Sequence, residues 1–116
     1  MFRIIFFFLI YCVTFSQNSY NEDGLKTGNW VGYYDSGELR YQGYFQDGKE
    51  YGLFTYYYKS GNVDTELFYS VPGRSAKARI YYSSGHIKAL GVYCGKIRCD
   101  LWEFFDNKGN IMSKEY

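Results

Sequence analysis

The chain has 116 residues, enough for one small domain, and 23% of them are aromatic, against one Pro and one His. That composition excludes a disordered or collagen-like chain, which lacks aromatic side chains to bury. A formal net charge of +1 excludes the broad basic surface that nucleic acid needs.

The N-terminus reads Met1-Phe2-Arg3, then a nearly unbroken apolar run from Ile4 to Val13, then Thr14-Phe15-Ser16-Gln17. One basic residue, an apolar run and small residues at Thr14 and Ser16 form a secretory signal peptide, with cleavage expected after Ser16. A retained membrane anchor is the competing reading, but the run falls short of the roughly 20 residues that span a bilayer. A third reading attaches lipid at Cys12, where Leu9-Ile10-Tyr11-Cys12 resembles a bacterial lipobox with a bulky Tyr11 in place of a small residue. Export places the protein in the periplasm, the cell envelope or the extracellular space. The remaining chain, 17–116, carries twelve basic and twelve acidic residues, so charge is not its main means of finding a partner.

Residues 17–25 form a lead-in, and a repeat follows over 26–116. Gly37, Gly61, Gly85 and Gly109 recur every 24 residues without a gap. Around them run matched columns: Trp30, Phe54, Ala78 and Trp102; Tyr33, Tyr57, Tyr81 and Phe105; Leu39, Val63, Ile87 and Ile111; Tyr44, Phe68, Val92 and Tyr116. Four repeats result, near 26–49, 50–73, 74–97 and 98–116. Each reads as two short strands joined by a tight turn, as at Asp35-Ser36-Gly37-Glu38, where Gly supplies positive φ. The first strand is aromatic-rich (Trp30-Val31-Gly32-Tyr33-Tyr34), and the second begins by alternating polar and apolar residues (Leu39-Arg40-Tyr41-Gln42). No helix-period run interrupts them. The predicted fold is all-β, a single antiparallel meander sheet of about eight strands.

The stretch from Gly28-Asn29-Trp30-Val31-Gly32-Tyr33-Tyr34-Asp35-Ser36-Gly37-Glu38-Leu39 to Gly43-Tyr44-Phe45-Gln46-Asp47-Gly48-Lys49 resembles a MORN repeat. It is most similar to the bacterial YwqK-type, antitoxin-like variant of that family. The resemblance implies an elongated, twisted antiparallel sheet, and roles that range over scaffolding, membrane association and a place ahead of catalytic domains, with an antitoxin or immunity role suggested by the family label. Several positions depart from the pattern. Ala78 replaces the aromatic, Ala76 replaces the Gly seen at Gly28 and Gly52, and Leu67 and Glu115 replace the Gly seen at Gly43 and Gly91. These changes predict a thinner or locally distorted third repeat.

Candidate chemistry is sparse. Cys94 and Cys99 flank Gly95-Lys96-Ile97-Arg98, a predicted hairpin connection, where strand ends come close enough for a disulfide. An oxidising compartment favours that bond over two free thiols or an intermolecular bridge. Two thiols without a nearby His are too few ligands for a metal, and no cofactor motif is present. His86 stands alone on a turn, without the nucleophile and orienting carboxylate that catalysis needs. No catalytic residue is assigned, and the chain is expected not to be an enzyme. Strand parity puts Trp30, Phe54 and Trp102 on one face with Tyr34, Tyr58 and Tyr82, and the Tyr33 column on the other. Two readings of the rings stand side by side: cross-strand packing, or an exposed binding strip at Tyr34, Tyr58 and Tyr82. The last strand is expected to offer an edge for self-association or a partner strand, unless Lys114 and Glu115 blunt it. The expected function is that of an exported repeat protein for protein interaction or envelope scaffolding. A carbohydrate- or cell-wall-binding module and an antitoxin or immunity protein are the alternatives, and membrane contact is left open.

Overall fold

A computed structural model describes residues 17–116. The signal-peptide reading and its alternative at Cys12 fall on 1–16, outside the described residues. The described chain is all-β, a single antiparallel sheet of nine strands in sequence order. The strands are β1 (Ser19–Tyr20), β2 (Lys26–Tyr33), β3 (Leu39–Gln46), β4 (Lys49–Tyr57), β5 (Val63–Tyr69), β6 (Ser75–Tyr81), β7 (Ile87–Cys94), β8 (Ile97–Phe105) and β9 (Ile111–Glu115). The sequence repeat accounts for β2–β9 as four hairpins. The additional strand, β1, comes from the lead-in and covers the outer edge of β2. Asn18 extends that cover, since its carboxamide accepts from Val31 N at 2.8 Å and donates to Val31 O at 3.1 Å. A side chain thus takes the place of a ladder residue along an edge that would otherwise be open.

The four hairpin turns share one hydrogen-bond pattern. Gly37 N donates to Tyr34 O, and Tyr34 N donates to Glu38 O, each at 2.9 Å, and the same pair of bonds recurs at Tyr58, Tyr82 and Asp106. Gly37 has φ 102°, a value that a side chain would strain.

One face of the sheet holds the core, in two clusters. Trp30, Phe45 and Phe54 make the first, and Ala78, Ala89 and Trp102 the second. In the first, rings meet edge to face along the sheet: Trp30–Phe45 at 5.9 Å, Phe45–Phe54 at 5.2 Å and Phe54–Tyr69 at 5.8 Å. In the second, Trp102 packs on Tyr93 at 4.9 Å and donates from Nε1 to Val92 O at 3.0 Å. Lys26 and Arg98 occupy one column of the repeat, and each lies over its own tryptophan, at 4.6 Å from Trp30 and 5.6 Å from Trp102.

The junctions between repeats differ, and side-chain volume explains how. Phe54 lies against Gly43, and Trp102 lies against Gly91, so closely that a Cβ on Gly91 would sit 2.1 Å from the indole. Both junctions carry a bulge: Gly43 faces 52–54 between the Gln42–Thr55 and Tyr44–Tyr51 pairs, and Gly91 faces 100–102 likewise. Gly52 and Asp100 take φ 69° and 58° there, a conformation that Gly and Asp accept more readily than most residues. At the middle junction Leu67 pairs with Ala78, and the register from Thr65–Ile80 to Tyr69–Ala76 runs unbroken. The large and small residues have exchanged strands, so neither ring nor bulge is needed. The third repeat is therefore not distorted. Its first strand, seven residues, is shorter than the eight or nine of β2, β4 and β8, and its pairing with β5 is the regular one.

Candidate functional site

Tyr34, Tyr58 and Tyr82 open the hairpin turns and are each half-buried. Their hydroxyls point along the sheet into the next repeat. Tyr34 OH donates to Tyr57 O at 2.5 Å, Tyr58 OH to Tyr81 O at 2.6 Å, and Tyr82 OH to Phe105 O at 2.7 Å. The acceptors are the last residues of β4, β6 and β8, so each tyrosine ties its turn to the strand end of the following hairpin. Burial raises the Tyr58 phenol pKa above its ordinary value, and the Asp64 carboxylate adds to the shift. In the fourth repeat the column holds Asp106. Its Oδ1 accepts from Lys108 N and Asn110 N, both at 2.9 Å, and these bonds from the backbone hold its carboxyl below the ordinary range. The structure brings the three predicted tyrosines together as one column and finds a structural use for every hydroxyl in it.

Cys94 and Cys99 form a disulfide across the β7–β8 hairpin, with Cα atoms 5.8 Å apart. Val92 stands directly opposite Cys99 in the ladder, and the bond closes the strand pair just beside the Gly91 bulge. His86 is exposed on its turn. Among the described residues, no group of three or more His, Cys, Asp or Glu is placed to hold a metal ion.

The sheet's second face carries a different surface, organised in three rows that cross the strands. The middle row pairs without a break from β2 to β9: Val31, Gln42, Thr55, Glu66, Arg79, Leu90, Glu103 and Lys114. Glu66 faces Arg79 and Glu103 faces Lys114. To one side lie the hairpin-end residues, among them Tyr57 and Tyr81. Tyr57 OH accepts from Gln42 Nε2 at 2.6 Å, and Tyr81 OH donates to Glu66 Oε1 at 2.5 Å. That bond to a carboxylate, with burial second, raises the Tyr81 phenol pKa. To the other side runs a row in which Tyr44, Tyr51, Leu53 and Phe68 are open to solvent and Val92 and Cys99 are half-buried. Tyr44 faces Tyr51, and Leu53, Phe68, Lys77, Val92 and Cys99 follow in line. Leu53 and Phe68 are 51% and 49% exposed, far more than the 1–8% of the core rings on the first face. Shallow concavities lie between the rows, lined by Leu53, Glu66, Phe68, Lys77 and Arg79 on one side of β6 and by Lys77, Arg79, Val92, Leu101 and Glu103 on the other.

Strand parity locates this second face in the sequence, but nothing in the repeat columns distinguishes an apolar row left uncovered from one that is packed. That distinction needs the burial of each residue. Compared with family models, curated proteins and solved structures, the chain gives no match.

Proposed function

We propose that this chain is an exported, non-catalytic repeat module that binds a protein partner, in line with its resemblance to the MORN repeat. One observation carries the reading. The core rings fill one face of a single sheet, and the other face leaves Tyr44, Leu53 and Phe68 between 43% and 51% exposed in one contiguous band. A chain that keeps such a band open has a use for it, since contiguous exposed apolar surface marks interaction sites. The Cys94–Cys99 disulfide fits the oxidising compartment that the signal peptide implies. The tyrosine column is assigned to holding repeats together, and the second face to the partner.

Co-purification and proximity labelling from the host envelope test the proposal, with the native protein and a Phe68→Ser variant run side by side. A partner recovered by the native protein and lost from the folded variant supports it. Equal recovery by both proteins, or binding to purified cell-wall glycan that Phe68→Ser leaves intact, sinks it.

A further inference from the structure

We infer that the centre of the second face binds an extended peptide segment bearing one carboxylate between two apolar side chains, with Lys77 as the partner of that carboxylate. This rests on the reading of the protein as an interaction module, and it adds the chemistry of the partner.

Cross-strand register sets Lys77 apart. In the middle row every charge faces an opposite charge across a strand pair, Glu66 with Arg79 and Glu103 with Lys114. Lys77 faces Phe68 on β5 and Val92 on β7, neither of them acidic. On its own strand and face its neighbours are Ser75 and Arg79. Glu66, Glu103 and Asp100 each share a concavity with it, and, like Arg79 and Lys114, Lys77 makes no ion pair within 4 Å among the described residues. In the 24-residue register Lys77 stands where the second and fourth repeats have Leu53 and Leu101. The first repeat has Asn29 there, so the third repeat alone sets a charge in this column, between the exposed Phe68 and the half-buried Val92.

A partner that covers Phe68 and Val92 must also cover the ammonium between them. Covering a cation without an opposite charge is costly, whereas covering it with a carboxylate gives a charge-assisted hydrogen bond. The partner therefore needs an anion at the centre and apolar groups on both sides. Distances favour an extended peptide. From Leu53 to Val92 the row crosses three strand spacings, about 14 Å, the span of about four extended residues. Same-side chains of an extended peptide recur every ~6.8 Å against about 4.8 Å between strands, so with an acid over Lys77 the residues two before and two after it lie about 2 Å beyond Phe68 and Val92, within reach of those side chains. The exposed groups are aliphatic or phenyl rather than carboxamide-rich, which favours apolar side chains over sugar hydroxyls.

Selection of a random peptide-display library on the purified, disulfide-intact protein tests the inference. Native protein enriches peptides of the form apolar-x-acid-x-apolar. Lys77→Glu, at an exposed strand position, weakens a synthesised winner about tenfold or more and shifts enrichment toward a basic central residue. Phe68→Ser weakens the same peptide with the circular dichroism unchanged. Winners that bind native protein and Lys77→Glu alike overturn the assignment to this face and leave the interaction role standing. No enrichment, with binding instead to insoluble glycan or to phosphatidylglycerol vesicles, overturns both.

Discussion

Replacing Gly91 by alanine isolates the contact that shapes the bulged junctions. The added Cβ would lie 2.1 Å and 2.2 Å from two ring atoms of Trp102, where carbon atoms normally rest about 3.5–4.0 Å apart. Trp102 is 2% exposed, with Tyr93 and Phe104 on either side and its Nε1 committed to Val92 O, so the ring has no free direction in which to retreat. Overpacking of this kind costs about 1–3 kcal/mol, and a displaced indole N–H adds about 1 kcal/mol. The sum, about 2–4 kcal/mol, lowers the thermal midpoint of a domain this size by at least about 10 °C. The decisive step is a double-mutant cycle read by urea and thermal denaturation. Trp102→Ala alone costs about 3–5 kcal/mol. Once the ring is gone, Gly91→Ala meets open space at a strand position without positive φ and stabilises by about 0.5–1 kcal/mol, because alanine restricts the unfolded chain. The same substitution thus changes sign with the background. An equal cost in both backgrounds refutes the claim that the ring against Gly91 determines this junction.

Three further outcomes follow from the same contacts. Tyr58→Phe removes the donor to Tyr81 O, leaves the ring in place, and lowers stability by about 1 kcal/mol in urea denaturation; an unchanged midpoint removes the inter-repeat role of the hydroxyl. Reduction of Cys94–Cys99 lowers stability by about 2 kcal/mol, small because the loop between the cysteines is short, and a Cys94→Ser/Cys99→Ser protein matches the reduced one in the same assay. Alkaline titration is the third. Burial, with Glu50 and Tyr56 nearby, pushes the Tyr69 phenol up to about 12 from 10.0, so the native state favours the neutral form. The associated stability is full below pH 10 and is lost as pH rises toward 12, and Tyr69→Phe flattens the unfolding curve in that window.

Much of the architecture is legible in the sequence because the repeat is ungapped: the turn glycines, the alternation and the Cys94–Cys99 spacing all report local geometry. What escapes is geometry set across strands. β1 is two residues long and outside the repeat, so Ser19 and Tyr20 carry no periodic signal. The tyrosine column looks like surface because its hydroxyls bond to backbone carbonyls, which leave no side-chain pattern. One sign of its role is nevertheless present. The column turns from Tyr to Asp at Asp106, in the one hairpin with no later hairpin beside it among the described residues, and the Asp carboxylate caps its own turn instead. On the second face, parity places Leu53, Phe68 and Lys77 correctly, but only the register shows that Lys77 lies between Phe68 and Val92.

The third repeat joins these observations. A repeat that had merely decayed would lose volume without recovering it. Here Ala78 gives up the ring found at Phe54 and Trp102, while Leu67 fills the place that glycine holds at Gly43 and Gly91, so the two changes compensate across one ladder pair. Ala76, buried at 1%, belongs to the same exchange, since without the ring there is no bulge for a positive-φ residue to make. The consequence reaches the opposite face. At a bulged junction three residues face one, and the row on the second face steps: Tyr51 stays opposite Tyr44, while Leu53 moves out beyond the pair. At the unbulged junction Phe68, Lys77 and Val92 fall in one straight line. A cation with apolar neighbours in fixed register needs that straightness, because a slip of one residue would turn Lys77 to the core face. The change that regularises the core side of the third repeat is therefore the one that aligns the proposed binding row, and the lysine lies in the repeat where that alignment exists.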